Sequence, residues 1–270
     1  MPAVELLVTD LDGTLWHDHN DMHPQVLHAL REVERRGLPL LVATGRRVAS
    51  TRDPLARFGI APPAVVLNGS IGLDLASGTR FFEAPFASTD AVAVLKALRS
   101  AGIDPVVYVE SDEAEVFVST TPSTNAGHIE QLGAGAKVGD LDQVCADLPV
   151  FGFSVIGRPH GLLVKGRDAV GAAAVVHLDR ALDFPGMASM TVAPLGQSKW
   201  DGVTAFCRKH DLNKSRVLAI GDGPNDVELL TNAAVRVVPA DAHPAARALA
   251  DHTVPSARHG GWAGVLEFIG

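Results

Sequence analysis

The sequence predicts an α/β fold: a doubly wound parallel sheet interrupted by an inserted α+β domain. Three observations predict it. Short, continuously apolar runs recur along the chain, the mark of strands buried on both faces. Near both ends of the chain these runs alternate with helical periodicities, which indicates parallel crossover units. Between them, residues 85–192 follow a different rhythm of mixed strands and helices.

The elements follow in order. "VELLVTD" is the first strand. From His23 to Arg36, apolar positions Val26, Leu27, Leu30 and Val33 have helical spacing, and Gly37 closes the helix. "LPLLVATGR" is a second strand, "VASTRDPLARFG" a helix containing Pro54, and "PAVVLNGS" a third strand. Far downstream, "SRVLAIGDGPND" is a fourth strand, "DVELLTNA" a helix and "VRVVP" a fifth strand. Within the insert, helices are expected at Thr89–Ala101 and Arg167–Leu182, with strands at "PVVYVES", "AEVFVST" and "VFGFSVIG". The hairpin-like "GLDLASGTRFFEAP" leads in and "TVAPLGQSK" leads out, both read as linkers. The expected division is residues 1–84 with 193–270 for the sheet and 85–192 for the insert.

Composition narrows the function. The chain of 270 residues is 47% hydrophobic and carries a formal charge of −8, with no long Lys/Arg run, so no nucleic-acid partner is expected. Cys145 and Cys207 form no CxxC pair, which indicates neither zinc nor a disulfide framework and fits a reducing cytoplasm. No apolar run is long enough for a bilayer, and the N-terminus lacks signal-peptide order, so no membrane partner is expected. Oligomeric state leaves no trace in the sequence. No GxGxxG follows the first strand, which argues against a dinucleotide-binding oxidoreductase.

In an open parallel sheet, active groups collect at the carboxyl ends of the strands. Here those ends carry Asp10 and Asp12; Thr44, Gly45 and Arg46; Asn68 and Gly69; and Asp222, Asn225 and Asp226. Asp10, Asp12, Asp222 and Asp226 would repel one another without a cation. Hard oxygen donors with room for water suit Mg2+. Thr44 and the amides around Gly45 offer donors to phosphate oxygens, and Lys199 a positive charge. A carboxylate can attack phosphorus to give an aspartyl-phosphate. A second one, two residues on, can protonate the leaving oxygen and then activate water. In extended chain, residues i and i+2 point the same way, so both could reach one phosphorus atom. Gly13 lets the backbone turn.

The pattern resembles the haloacid dehalogenase (HAD) superfamily of phosphohydrolases, most closely its Cof-type members with a class IIB cap. "DLDGTL" resembles the first motif, "LVATGR" the second, "SKWDG" the third and "GDGPND" the fourth. The likeness spans essentially the whole chain. Ser70 stands where Cof-type sequences often have Ala. The resemblance implies that Asp10 is the nucleophile and a metal ligand. Asp12 is the general acid/base, with its backbone carbonyl also on the metal. On the same resemblance, Asp222 would be a side-chain ligand, and Asp226 would hold metal-bound water or another ligand in place. Thr44 and Gly45 bind the transferring phosphoryl group, which Lys199 bridges to the nucleophile. Arg46, Asn68 and Asn225 are expected on the substrate side. The insert would be a lid hinged near "EAPF" and "VAPLG" that meets a small-molecule phosphate ester.

Plainer readings exist for each residue. Thr44 could be a helix N-cap, Lys199 a solvated lysine, and Asn225 and Asp226 caps of the following helix. His17, His19 and His23, interleaved with Asp18 and Asp21, match no strong zinc spacing and read as a loop, as does His259 in "SARHGGW". Two other functions use the same residues: a phosphomutase, for which the insert lacks a dense Arg/Lys cluster, and a catalytically silent binding module, against which the intact acidic set argues. The insert's few aromatics, Phe86, Tyr108, Phe117, Phe151, Phe153 and Phe184, favour a polar pocket over a base-stacking cage. Sugar or polyol phosphates are therefore the preferred substrates.

Overall fold

The computed structural model describes residues 4–17, 20–111, 113–181 and 183–270. The chain divides into two compact units: Met1–Glu83 with Ser198–Gly270, and Ala84–Gln197.

The first unit is built on an eight-stranded sheet ordered β14-β13-β12-β1-β2-β3-β4-β5. Its strands are β1 (Leu6–Thr9), β2 (Leu40–Ala43), β3 (Pro63–Val66), β4 (Ile71–Asp74), β5 (Arg80–Glu83), β12 (Val217–Ile220), β13 (Val235–Pro239) and β14 (His252–Val254). All pairs from β14 to β3 are parallel; β3–β4 and β4–β5 are antiparallel. The sequence "GLDLASGTRFFEAP" is thus a hairpin that extends this sheet, not a linker out of it. Its phenylalanines explain the difference: Phe81 packs edge-on against Phe206 at 5.3 Å.

Both faces of β1 are buried, as a continuous apolar run requires. Leu6 and Val8 join a core with Leu41, Val65, Val203, Phe206, Leu229 and Leu230, and the intervening Leu7 is equally buried. Helices α1 (Pro24–Arg35) and α2 (Val48–Arg57) follow β1 and β2. Pro24 opens α1, where its missing N–H costs nothing, and Val26, Ala29, Leu30 and Val33 form its buried stripe. Helix α7 (Lys199–Lys209) was not anticipated from sequence, although "SKWD" carries a start signal: Asp201 Oδ2 accepts from both the Ser198 N–H and Oγ–H. It lies very close to β3, since a Cβ on Gly202 would stand 2.4 Å from Val65 Cγ1. Helices α8 (Val227–Asn232) and α9 (Pro244–Arg247) complete this unit.

Topology positions the site. From β1 the chain runs outward through β2 and β3, and later returns to β12 on the other side of β1. Thr9 is level with both Val42 and Ile220, so the loops after β1, β2 and β12 emerge side by side at this switch point.

The second unit has a six-stranded sheet, ordered β10-β11-β9-β6-β7-β8, antiparallel except for β7–β8. Its strands are β6 (Val106–Val109), β7 (Val116–Val118), β8 (Ala136–Val138), β9 (Val150–Arg158), β10 (Val175–Arg180) and β11 (Ala188–Ala193). Its helices are α3 (Ser88–Ser100), α4 (Ala126–Leu132), α5 (Leu141–Asp147) and α6 (His160–Val170). Leu95, Leu98, Leu141, Phe153, Leu163 and Met190 form its core. The helix expected at Arg167–Leu182 is corrected here. The helix ends at Val170, where Gly171 takes a φ of 56°, and "VVHLDR" pairs with β11 as β10. Its alternation puts Val176 and Leu178 against the core, a period of two that outweighs helical spacing. Leu182 lies outside the described residues, as do Asp18 and His19.

Among the described residues, no helix is long and apolar enough to cross a membrane. Cys145 and Cys207 are free and buried in separate units.

Candidate active site

Every site residue anticipated from sequence falls in the first unit. Asp10 follows β1 and is tied to β12 by its N–H, which donates to the Ile220 carbonyl at 2.9 Å. Lys199, at the first turn of α7, is fully buried. Its Nζ donates to Asp10 Oδ1 and to Asp226 Oδ1, each at 2.7 Å. A cation at a helix N-terminus opposes the helix dipole, so these two carboxylates supply the compensation. Burial alone would lower the Lys199 pKa, but Asp10 and Asp226 outweigh it and hold the amine above its ordinary range.

Asp226 has both oxygens engaged. Oδ2 accepts the Asp222 and Gly223 N–H groups at 3.0 and 2.9 Å, and Oδ1 takes Lys199. It therefore fixes the "GDGPND" turn and cages the lysine. Gly221 makes this possible, because a Cβ there would lie 2.5 Å from Asp226 Cγ. Asp222 is held by Thr14, whose Oγ1 donates to Oδ1 at 2.8 Å. Thr14 was not singled out from sequence, though it sits inside "DLDGT".

One carboxylate oxygen from each of Asp10, Asp222 and Asp226 lies within 4.8 Å of the others. Among the described residues, Oδ2 of Asp10 and Oδ2 of Asp222 receive no protein donor, and neither does the Asp12 carbonyl. Burial, opposed by Lys199 and reinforced by Asp226 and Asp12, raises the Asp10 pKa to about 7. Burial and the charges of Asp10 and Asp226 likewise raise Asp222 well above the carboxylate range. Crowded, hard, partly unsatisfied oxygens fit a divalent cation, which would relieve their repulsion.

Asp12 is oriented separately. The chain does not continue as a strand after Thr9 but turns, with the Leu11 carbonyl accepting from the N–H groups of Thr14, Leu15 and Trp16. Asp12 pairs with Arg46, whose Nε donates to Oδ2 at 2.6 Å and Nη2 to Oδ1 at 2.5 Å. Arg46 Nη1 donates to the Ser50 carbonyl at 3.1 Å. That carbonyl is open because its helical partner would be residue 54, a proline with no N–H.

Thr44 is buried, and its Oγ1 accepts the Arg46 N–H at 3.2 Å. Asn68 lies over Gly45, where a Cβ would come within 2.9 Å of its Oδ1. Asn225 Nδ2 donates to that same oxygen at 2.9 Å, and the Asn68 N–H donates to the Thr44 carbonyl at 3.0 Å. Leu67 and Asn68 both adopt positive φ, 51° and 54°, a costly pair for side-chain-bearing residues. Asn68 and Asn225 thus brace the loop after β2 against the loop after β12.

Two of the histidines make side-chain hydrogen bonds close by in sequence. His23 caps α1, accepting the Gln25 N–H at 3.3 Å, and His259 bonds Ser256 Oγ through Nδ1 at 2.8 Å. The His17 N–H donates to the Asp21 carbonyl at 3.2 Å. A partner the sequence did not reveal is Trp262, whose Nε1 donates to Thr9 Oγ1, which in turn donates to the Asp10 carbonyl.

Gly13 carries a direct prediction. Its φ is 74°, and a Cβ would stand 2.5 Å from Asp222 Oδ2. Gly13→Ala is expected to destabilise the protein by at least about 1 kcal/mol and to displace Asp222, read by urea unfolding and metal titration.

The chain is similar to known phosphatases and hydrolases over nearly its whole length. A phosphoglycolate phosphatase from Methanopyrus kandleri is 25% identical over 98% of this chain and 95% of its own length. The solved structure of a haloacid dehalogenase-like hydrolase from B. subtilis superposes with a TM-score of 0.82 at 17% identity, covering 97% of this chain and 99% of that one. The HAD subclass IIB sugar phosphatase BT4131 gives 0.78 at 17% identity, covering 98% of each chain. The sequence profile of one family matches residues 7–133 and 178–269, which make up most of the chain and include every residue of the acidic cluster. The protein belongs to the haloacid dehalogenase-like hydrolases.

Proposed function

We propose that the protein is a magnesium-dependent phosphatase of small phosphate monoesters, acting through an aspartyl-phosphate on Asp10. The observation that carries this reading is the state of Asp10. It is a buried carboxylate with one oxygen held by Lys199 and the other open, inside a cluster of three acids. The relative from Methanopyrus kandleri, named for a small phosphate monoester, supports the substrate class.

Asp10, Asp222 and the Asp12 carbonyl would hold the ion. Bound magnesium would neutralise the cluster and polarise the phosphoryl oxygens. A carboxylate oxygen of Asp10 attacks phosphorus, and the bond to the leaving oxygen breaks as Asp12, acting as general acid, gives that oxygen a proton. Ionised Asp12 then takes a proton from water as the water attacks the same phosphorus, freeing phosphate and Asp10. Lys199 keeps Asp10 oriented throughout and offsets charge on the phosphoryl group. Thr44 and the loop around Gly45 bind that group, with Arg46, Asn68 and Asn225 placing the substrate side. The second unit would act as the cap.

Sugar or polyol phosphates are the preferred substrates. Phe86, Tyr108, Phe117, Phe151 and Phe153 are all buried, which leaves Phe184 as the one half-exposed aromatic of the six in that unit. Two unpaired, buried thiols suit a reducing cytoplasm. A panel of phosphate esters assayed with Mg2+ tests the reading. Sugar phosphates should give the highest kcat/KM, and nucleoside monophosphates far ahead of every sugar phosphate would contradict it.

Metal dependence adds a second test. Excess chelator should abolish turnover and Mg2+ restore it. Asp222→Ala should weaken Mg2+ binding more than Asp226→Ala does, because Asp226 spends both oxygens on protein donors. The reverse order by calorimetry would remove Asp222 from the ligand set.

A further inference from the structure

We propose that Trp16 is a positioning residue for Asp12, fixing the carboxylate that serves as general acid and base. The inference rests on the phosphatase reading above. Trp16 Nε1 donates to Asp12 Oδ1 at 3.1 Å, and the indole face lies under the Arg46 guanidinium, 4.8 Å from ring centroid to Cζ. Trp16 is itself fully buried. The turn that follows Asp10 places it there: the Trp16 N–H donates to the Leu11 carbonyl, and the Gly13 N–H donates to the Trp16 carbonyl. "DGTLW" is thus a local device that returns an indole to the aspartate four residues before it.

Three donors from two residues converge on one carboxylate. Arg46 supplies a two-point fork, and its far nitrogen is anchored on the Ser50 carbonyl that Pro54 leaves open. Trp16 supplies the third donor and a flat surface that fixes the plane of the guanidinium. An indole N–H only donates, so it adds one directed contact that fixes the orientation of Asp12 Oδ1. The Asp12 side chain keeps 30% of its surface exposed, so the carboxylate remains open to a leaving group or water.

Trp16→Phe keeps an aromatic face under Arg46 and removes the N–H. A hydrogen bond to a charged acceptor is worth about tenfold in rate when it acts in the transition state. The test compares two esters in single-turnover kinetics with Mg2+ present. An alkyl phosphate needs its leaving oxygen protonated; p-nitrophenyl phosphate releases a stable phenolate without that proton. Trp16→Phe should slow cleavage of the alkyl ester about tenfold and of p-nitrophenyl phosphate by less than about twofold, with KM and Mg2+ affinity unchanged. Equal loss on both esters, or no loss on either, overturns the proposal. If Trp16→Phe does not fold, site-specific replacement of the indole N–H by sulfur at residue 16 keeps the shape and is read by the same two rates. Wild-type protein that cleaves neither ester would instead refute the phosphatase reading itself.

Discussion

Asp10→Asn is expected to lower turnover on the order of 10⁵-fold while the protein stays folded, because an amide oxygen is too weak a nucleophile toward phosphorus. Its effect on stability should have the opposite sign in metal-free protein at high pH. The Asp10 carboxyl titrates at 3.8 when free of its surroundings and at about 7 in the fold, chiefly through burial. The folded state therefore holds its proton more tightly. The associated stability is fully present below the unfolded pKa and is lost as pH rises through the folded one. Without metal, the wild type should lose melting temperature from about pH 4 to about pH 7, and Asp10→Asn should lose less. Turnover near the wild-type level in a folded Asp10→Asn variant would exclude the covalent route. An unchanged pH slope would show that Asp10 is not the group that titrates.

Lys199→Met is expected to be the most destabilising single change in the site. Nζ is the shared partner of Asp10 and Asp226, and the lysine is fully buried. Its removal leaves two carboxylates facing each other without compensation, at a cost of about 3–5 kcal/mol. Urea unfolding at neutral pH measures this. The double variant Lys199→Met with Asp10→Asn should recover part of the loss, because one of the stranded charges is gone. Additive losses in the two variants would mean that the pair is not coupled as its geometry indicates. Mg2+ should also recover part of the stability of Lys199→Met by neutralising the same carboxylates.

Much of the first unit was legible because its strands are buried on both faces and so read as continuous apolar runs. Once their order was read, the acidic and polar strand ends could be assigned to neighbouring loops. The structure brings Asp10, Asp222, Asp226 and Lys199 together there. What was not legible depends on contacts with no local period. Trp262 reaches Thr9 across 253 positions of sequence. Arg46 turns to Asp12 because Pro54 frees a carbonyl one helical turn back, a relation no motif encodes. The turn that follows β1, closed on the Leu11 carbonyl, likewise has no periodic signature. In the second unit, "VVHLDR" was read as helix because Arg167 and the residues after it continue the spacing of α6. Gly171 at positive φ is the stop signal that separates them.

The most direct measurement is to catch the phosphoryl group on the protein. Asp12→Asn keeps Asp10 and its lysine but removes the base that activates water, so the second step should stall. With p-nitrophenyl phosphate, whose leaving group needs no proton, the first step should still proceed. Acid quenching followed by peptide mass spectrometry should then show one phosphoryl group on the peptide containing Asp10, in near-stoichiometric yield with Mg2+ and absent with chelator. A burst of p-nitrophenol with no phosphoryl group on that peptide, or one found on another residue, would contradict a covalent mechanism centred on Asp10.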